Sequence, residues 1–480
     1  MSRLLRFALL GLGVVLGLLL LLAAALVLLV DTGVYKSRLE RSASKALGLE
    51  LSIAGRPAID VFPGLQLTLD DVHLRRHGKE LASARQARIS IAPMSLLGDE
   101  LRVEKIVLTQ PVITVAREPD GRFDFEPDAA AGAGGAGADA PAQDWPDVSL
   151  SAGSMVFVDR RYGKGFEAHD CQGDVHHLRR AAGRRADFLR EVAFTAEVGC
   201  AQFRKDGFSL VDLKFSADAK HGIVALEPLS TRLFGSPGQG NIRADFTGAV
   251  PSYQMAYTLT QFPIEAFFGS LSLKKLAAGR MDFSATLTTR GTTPAELKQA
   301  MAGRVSLRGK GLTFYGGDLD RAFERFESSQ TIGLVDVGAV LFAGPIGLLA
   351  TKGYDFAQLA QGNGGTSEIR TLVSDWKLEH GVAHAQDVAM TTKANRIALH
   401  GGLDFVNERF DEVSIALVDA KGCAIVRQAV RGNFRAPVVD KPNAIEALAG
   451  PAVRLLKKGG DVLLGRHCEP FYTGAVGPPG

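Results

Sequence analysis

Very little in this sequence could do chemistry. Only four of its 480 residues are cysteine, at Cys171, Cys200, Cys423 and Cys468, and no two stand in a CxxC spacing. That excludes a cysteine-rich zinc cluster. The ten histidines are dispersed. His380 and His384 have a metal-ligand spacing only if they share a helix face. They sit in "WKLEHGVAHAQDVAM", which reads as strand, turn and strand around Gly381. The adjacent His176 and His177 are expected on opposite faces of a strand. No G-x-S-x-G is present, and "GKG" at Gly309–Gly311 is followed by Leu312 where a phosphate-binding loop needs Ser or Thr. The chain reads as a non-enzyme with no cofactor and no metal. A formal charge of +3 gives it no general attraction to nucleic acid. Aromatics are scarce, at 7%.

What the sequence does have is glycine, 54 residues of it, and many short alternating stretches. That combination fits hairpin-built sheets better than helical bundles. The start is different. From Phe7 to Val30 no residue is charged. At about 1.5 Å per residue this run crosses a hydrocarbon core of roughly 30 Å with some tilt. Ala23–Ala25 is followed by more leucine and valine, so the run reads as an uncleaved single-pass anchor rather than a signal peptide. Arg3 and Arg6 before it favour a cytoplasmic amino terminus. Gly13 and Gly17 form a GxxxG that would let two such helices approach closely. Val337–Thr351 is uncharged but short and broken by glycine and proline, which predicts burial in protein. Four scattered cysteines suit two disulfides in an oxidising compartment.

After a short polar helix over Tyr35–Leu47, strands are expected at Leu49–Ile53, Leu65–Leu74 and Ala87–Ala92, then as a pair either side of Gln110–Pro111. In "VFPGLQLTLDDVHL" the apolar residues Leu65, Leu67 and Leu69 alternate with polar ones. The alternation resumes at Val72 and Leu74, one step out of phase, as a β-bulge at Asp70–Asp71 would produce. The face these five residues share is the candidate ligand-bearing surface. The Ala/Gly-rich segment 128–143 lacks core-forming residues and reads as a flexible linker. It divides a β-rich domain over 31–127 from a second over 144–480. "GNIRADFTG", "GRMDFSATLT" and "GRVSLRGKGLTF" each open with glycine and alternate. Thr293-Pro294-Ala295-Glu296 reads as a capping box, Asp318 as a helix cap, and Ile445–Leu456 as an amphipathic helix.

Together these segments resemble the AsmA family of Gram-negative envelope proteins. At the amino terminus the likeness lies in the anchor, the short helix, "GRPAIDVFPGLQLTLDDVHL" and "LLGDELRVEKIVLTQPVITV". Towards the end it lies in "GGDLDRAFERF", "DVAMTTKANRIALHGGLDFVNERF", "GCAIVRQAVRGNF" and "CEPFYTGAV". The resemblance implies an inner-membrane anchor with its bulk in the periplasm. It also implies an α+β, mainly-β fold: an elongated, curved antiparallel sheet of β-groove type with a few capping helices. A role in lipid transfer between inner and outer membrane follows, with phospholipid acyl chains and envelope proteins or a second copy as partners. The alternative is a scaffold for outer-membrane protein assembly. Cys423 ends the strand "VSIALVD" and Cys468 precedes Phe471 and Tyr472, with enough chain between them to loop back. These two are expected to pair, leaving Cys171 to Cys200.

Overall fold

The alternating stretches fold as strands. The computed structural model of the protein describes residues 36–37, 40–41, 44, 49–55, 57–60, 64–92, 102–119, 124, 139–140, 142–160, 163–180, 183–184, 188–205, 208–270, 277–315, 318–321, 365–440, 443–444 and 468–479. The expected anchor with Gly13 and Gly17, the Val337–Thr351 stretch and the helix over Ile445–Leu456 lie outside these residues. Among the described residues no helix is long and apolar enough to cross a membrane. The chain divides into two compact units, Met1–Val224 and Ala225–Gly480.

In the first unit β1 (Glu50–Ile53) and β2 (Ala58–Asp60) pair in succession with β3 (Gln66–Arg76). β3 pairs with β4 (Lys79–Ile91), and β4 with β5 (Val103–Arg117), all antiparallel. β5 then runs parallel to β8 (Asp147–Asp159), from Lys105 beside Asp147 to Arg117 beside Asp159. Antiparallel pairing resumes through β9 (Lys164–Arg180), β11 (Val192–Lys205) and β12 (Phe208–Lys220). The expectation of an antiparallel sheet therefore fails at one pair. Segment 128–143, read as a domain boundary, falls inside this unit, because the strands before and after it are neighbours. A parallel pair needs a long return connection, and this segment is part of it. Its end also pairs: β6 (Asp139–Ala140) with β10 (Gly183–Arg184), and β7 (Gln143–Asp144) with β9. The two strands expected around Gln110–Pro111 are one strand, β5, with Gln110 in the left-handed region at φ 51°.

The outer edge of β1 is closed by side chains from helical residues before it. Leu51 N donates to Ser44 Oγ at 2.9 Å, and Ile53 N to Glu40 Oε1 at 2.8 Å. Donors that another strand could have used are thereby occupied.

The second unit takes in most of β13 (Ile223–Leu233) and runs in antiparallel series from β14 (Ser236–Asp245) through β15 (Ser252–Pro263), β17 (Arg280–Arg290), β18 (Ala302–Phe314) and β19 (Ser367–Glu379), with the two-residue β16 (Ala277–Ala278) paired to the end of β18. It continues through β20 (Val382–Thr391), β21 (Arg396–Asp404), β22 (Arg409–Val418) and β23 (Ala424–Asn433). The three glycine-opened stretches are β14, β17 and β18. Gly303 shows why one of them needs glycine: its φ is 143°, and a Cβ there would meet Thr286 O at 2.0 Å.

Helices in this unit are short. Thr293 caps the helix Pro294–Gln299 by accepting from Glu296 N at 3.3 Å. The Glu296 carboxylate returns to Thr292 N at 2.7 Å, one residue earlier than a capping box would place it. Asp318 Oδ1 accepts from Arg321 N at 3.0 Å, as its reading as a cap required.

A core forms where Val373, Ala389, Ala398, Ala416 and Val418 are covered by Tyr472 and Val476 of the carboxy-terminal tail. The tail is held by main-chain bonds from Phe471 N and Tyr472 N to Gly422 O at 2.9 and 3.0 Å. The Tyr472 hydroxyl donates to Asp387 and accepts from Val476 N at 3.0 Å. Burial, reinforced by the Asp387 carboxylate, pushes this phenol well above its ordinary range.

Candidate functional site

The five candidate residues take their places on the first unit's sheet. Leu65 lies just before β3, and Leu67, Leu69, Val72 and Leu74 lie on it; Leu69 and Val72 are 4% and 9% exposed. Their register partners extend the same face across the sheet. Leu69 neighbours Ala87, then Leu108, Leu150, Gly173, Val198 and Phe215. Leu67 begins a second row, through Ile89, Ile106, Val148, Val175 and Ala196 to Ala217, with Ile59 of β2 before it. Leu74 begins another, from Leu51 through Ala82, Ile113, Met155, Ala168 and Phe203 to Leu210. Val72 links Ile53 to Ala84 and Pro111, and across Gly153 the row goes on to Cys171, Cys200 and Leu213. Each row crosses about eight strands and contains no charged residue.

The opposite face is polar. Gln86 Nε2 bonds Asp70 Oδ1 at 2.9 Å, His73 Nδ1 lies 2.9 Å from Glu80 Oε2, and Ser149 Oγ bonds Asp174 Oδ1 at 2.6 Å. With strands about 4.8 Å apart and residues about 3.3 Å apart, the apolar rows cover roughly 34 by 23 Å. Among the described residues, the unit's elements in closest contact are hydrogen-bonded neighbours in a sheet. Most side chains of the rows are half-buried, and Ile53, Leu69, Ala87, Ala168 and Ala196 are buried.

The phase slip read at Asp70–Asp71 is real, but a bulge of one strand does not describe it. Asp71 is left-handed, at φ 56°, yet the register with β4 is unbroken from Asp70↔Gln86 to Val72↔Ala84. The neighbour has slipped too. Every strand from β3 onward makes the same three-residue step on the apolar face: Leu69/Val72, Ala84/Ala87, Leu108/Pro111, Leu150/Gly153, Ala168/Cys171, Cys200/Phe203 and Leu210/Leu213. The skipped pairs include the left-handed residues Gln110, Ala152, Asp170 and Asp212, at φ 50° to 52°. The result is a crease that crosses the sheet. It moves over by one row at Gly153, where the β8–β9 register shifts. Gly153 itself faces Pro111, whose Cγ a Cβ would approach to 3.1 Å.

Cys171 and Cys200 are direct cross-strand partners on the apolar face, bonded to each other with Cα atoms 4.0 Å apart. Cys423 and Cys468 form the second pair, at 6.1 Å. Among the described residues no three His, Cys, Asp or Glu gather to hold an ion. His176 and His177 were expected on opposite faces. His177 is left-handed at φ 55°, and the two rings lie 6.3 Å apart instead. His176 Nδ1 lies 2.8 Å from Asp147 Oδ2, a bond that lowers the Asp147 carboxyl below its usual range.

The model of the AsmA family matches residues 1–156. The match covers about a third of the chain. The AsmA portion includes β1 to β5 and most of β8, and hence the half of the apolar rows that starts at Leu51, Ile53 and Ile59. The rows run on beyond it through β9, β11 and β12, so the apolar face extends past the AsmA match. The likenesses noted from Gly316 onward also lie outside the match. No curated protein and no solved structure matches the chain.

Proposed function

We propose that this is a non-catalytic protein of the bacterial envelope that holds phospholipid acyl chains on the apolar face of its first unit. In this reading Phe7–Val30 anchors it in the inner membrane, the bulk lies in the periplasm, and lipid passes between the two membranes along it. The observation that carries the proposal is the set of four uncharged rows, each crossing about eight strands of one sheet. The AsmA match over residues 1–156 supports an envelope role, and two bonded cysteine pairs suit an oxidising compartment. Burying a methylene contributes about 0.8 kcal/mol, so a chain lying along these strands recovers most of what it loses on leaving a bilayer. Along the strands the apolar face extends about 23 Å, more than the depth of one leaflet, about 15 Å.

The test is a phospholipid with a photo-reactive acyl chain, offered to the full-length protein and followed by peptide mapping. Adducts on β4, β5, β8 and β11 are expected. If label appears only in Phe7–Val30, or nowhere, the chain is not a lipid carrier. Action through protein contacts would then be the better account.

A further inference from the structure

The apolar rows end differently at the two ends of their strands. At one end the last apolar neighbours are Val115, Phe157 and Phe166, and the next residues on that face are Arg117, Asp159 and Lys164. Phe166 stacks on Phe157 and on Phe203, with centroids 5.2 Å apart in both cases. Here β8, β9 and β11 border an open cleft of about 800 Å³. Phe157 and Phe166 line it together with Arg160, Lys164, Arg204 and Lys205. It also holds two carboxylates, and each has another neighbour. Asp159 lies 3.8 Å from Arg117, and Glu167 lies 3.4 Å from His169. Arg160 is 3.4 Å from Glu118. Lys164, Arg204 and Lys205 make no ion pair among the described residues. At the other strand ends Ile91 lies beside Val103 and Phe194 beside Ala219, while Arg179 and Arg180 of β9 pair with Asp144 and Gln143 of β7.

An occupant that fits both features has apolar chains and an anionic head at one end. We propose that the cleft is a headgroup subsite for anionic phospholipid, in which Lys164 and Lys205 engage the phosphate while the chains run along the strands, across the rows, from the stacked phenylalanines. The inference rests on the lipid reading above and adds a direction and a selectivity to it. A zwitterionic head carries an ammonium that the same cations repel, so net charge decides the preference. The aromatic stack marks where head gives way to chain.

The experiment measures binding of phosphatidylglycerol and of phosphatidylcholine, with identical labelled chains, to the full-length protein. Wild type should prefer phosphatidylglycerol by at least about fivefold, the effect of about one well-placed cation near an anionic lipid. Raising the salt should erode that preference. The Lys164→Gln, Lys205→Gln variant should bind both lipids alike and keep its affinity for phosphatidylcholine. Equal binding of the two lipids by wild type, a preference indifferent to salt, or a preference that survives in the variant would each overturn the subsite and leave the lipid reading standing. Failure to bind either lipid would overturn both. Glycerol phosphate, which has the head without the chains, should not compete; competition would mean a soluble phosphate ligand instead.

Discussion

Deleting Ala129–Ala142 should destabilise the first unit, and the parallel pairing of β5 with β8 says by how much. Arg117 lies beside Asp159 and Lys105 beside Asp147, so the chain leaving β5 must travel back about 40 Å, twelve residues of strand, before β8 can start. After the deletion about fifteen residues remain between Arg117 and Asp147, reaching roughly 50–55 Å when fully extended. The return can still close, but only as a nearly straight tether. Asp124 cannot stay docked in that state. It is tied near Arg117, with its carboxylate 2.6 Å from Lys79 Nζ and 3.1 Å from Ala116 N, and its own N–H 2.9 Å from Ala116 O. Only about five chain steps, some 18 Å, would then join it to Gln143. Losing a charge-assisted bond and a main-chain bond costs roughly 2–4 kcal/mol. At about 2–4 °C per kcal/mol for a unit of this size, the melting temperature should fall by about 5–15 °C. A glycine-serine replacement of equal length should leave it nearly unchanged. In the deletion background Asp124→Asn should cost almost nothing further, because the contact is already lost. Differential scanning fluorimetry reads all three. A deletion variant that melts with wild type would refute the parallel return.

Other perturbations test other parts. Ala152→Gly should be neutral or stabilising by up to about 1 kcal/mol in urea titration, since Ala152 is left-handed at φ 50° and a non-glycine residue there costs roughly 1–2 kcal/mol; a clear loss would show that the crease carries no strain. Tyr472→Phe should cost about 1–3 kcal/mol by leaving Asp387 and Val476 N short of a partner. The phenol's pKa is raised in the folded state, so its share of stability is present below about pH 10 and declines as pH rises through the folded value. The phenylalanine variant should lose that alkaline slope, and an unchanged slope would count against it. Thr293→Ala should cost about 1 kcal/mol by uncapping its helix, read from the same titrations. Leu150→Asp, in the middle of a row beside Leu108, should abolish acyl-chain labelling; labelling at the wild-type level would remove the rows from the proposed function.

Much of the sheet was legible because period two is a local signal. Leu65 to Leu74 declares both its apolar face and its phase slip, and Cys423 and Cys468 lie at places a loop could join. Adjacency is not local. Nothing in the run before Arg117 or the run after Asp147 says that the two strands lie parallel, since that depends on the path between them. The rows were hidden for a related reason. Gly153, Gly173 and Pro111 belong to the apolar face by register, while their side chains give no hydrophobic signal. Pro111 also looked like a break, yet one residue without an N–H is tolerated where Gln110 already turns the strand. The cationic end was invisible because Lys164, Arg204 and Lys205 lie on two strands with turns and other strands between them.

The crease fixes where this sheet can tolerate a change of length. Seven strands each carry one extra step at nearly the same level, and the faces agree only because all of them do. A residue removed from the middle of one strand would bring that strand's far half one place out of line with both neighbours. The same loss at a hairpin end would be absorbed by the turn. Insertions and deletions should therefore survive at the turns and be purged from the strand middles. A hairpin copied whole, with the three-residue step inside it, would join the edge already in phase. The crease is in effect a frame mark shared by all the strands, and it lets such a sheet grow by the pair without having to be re-aligned.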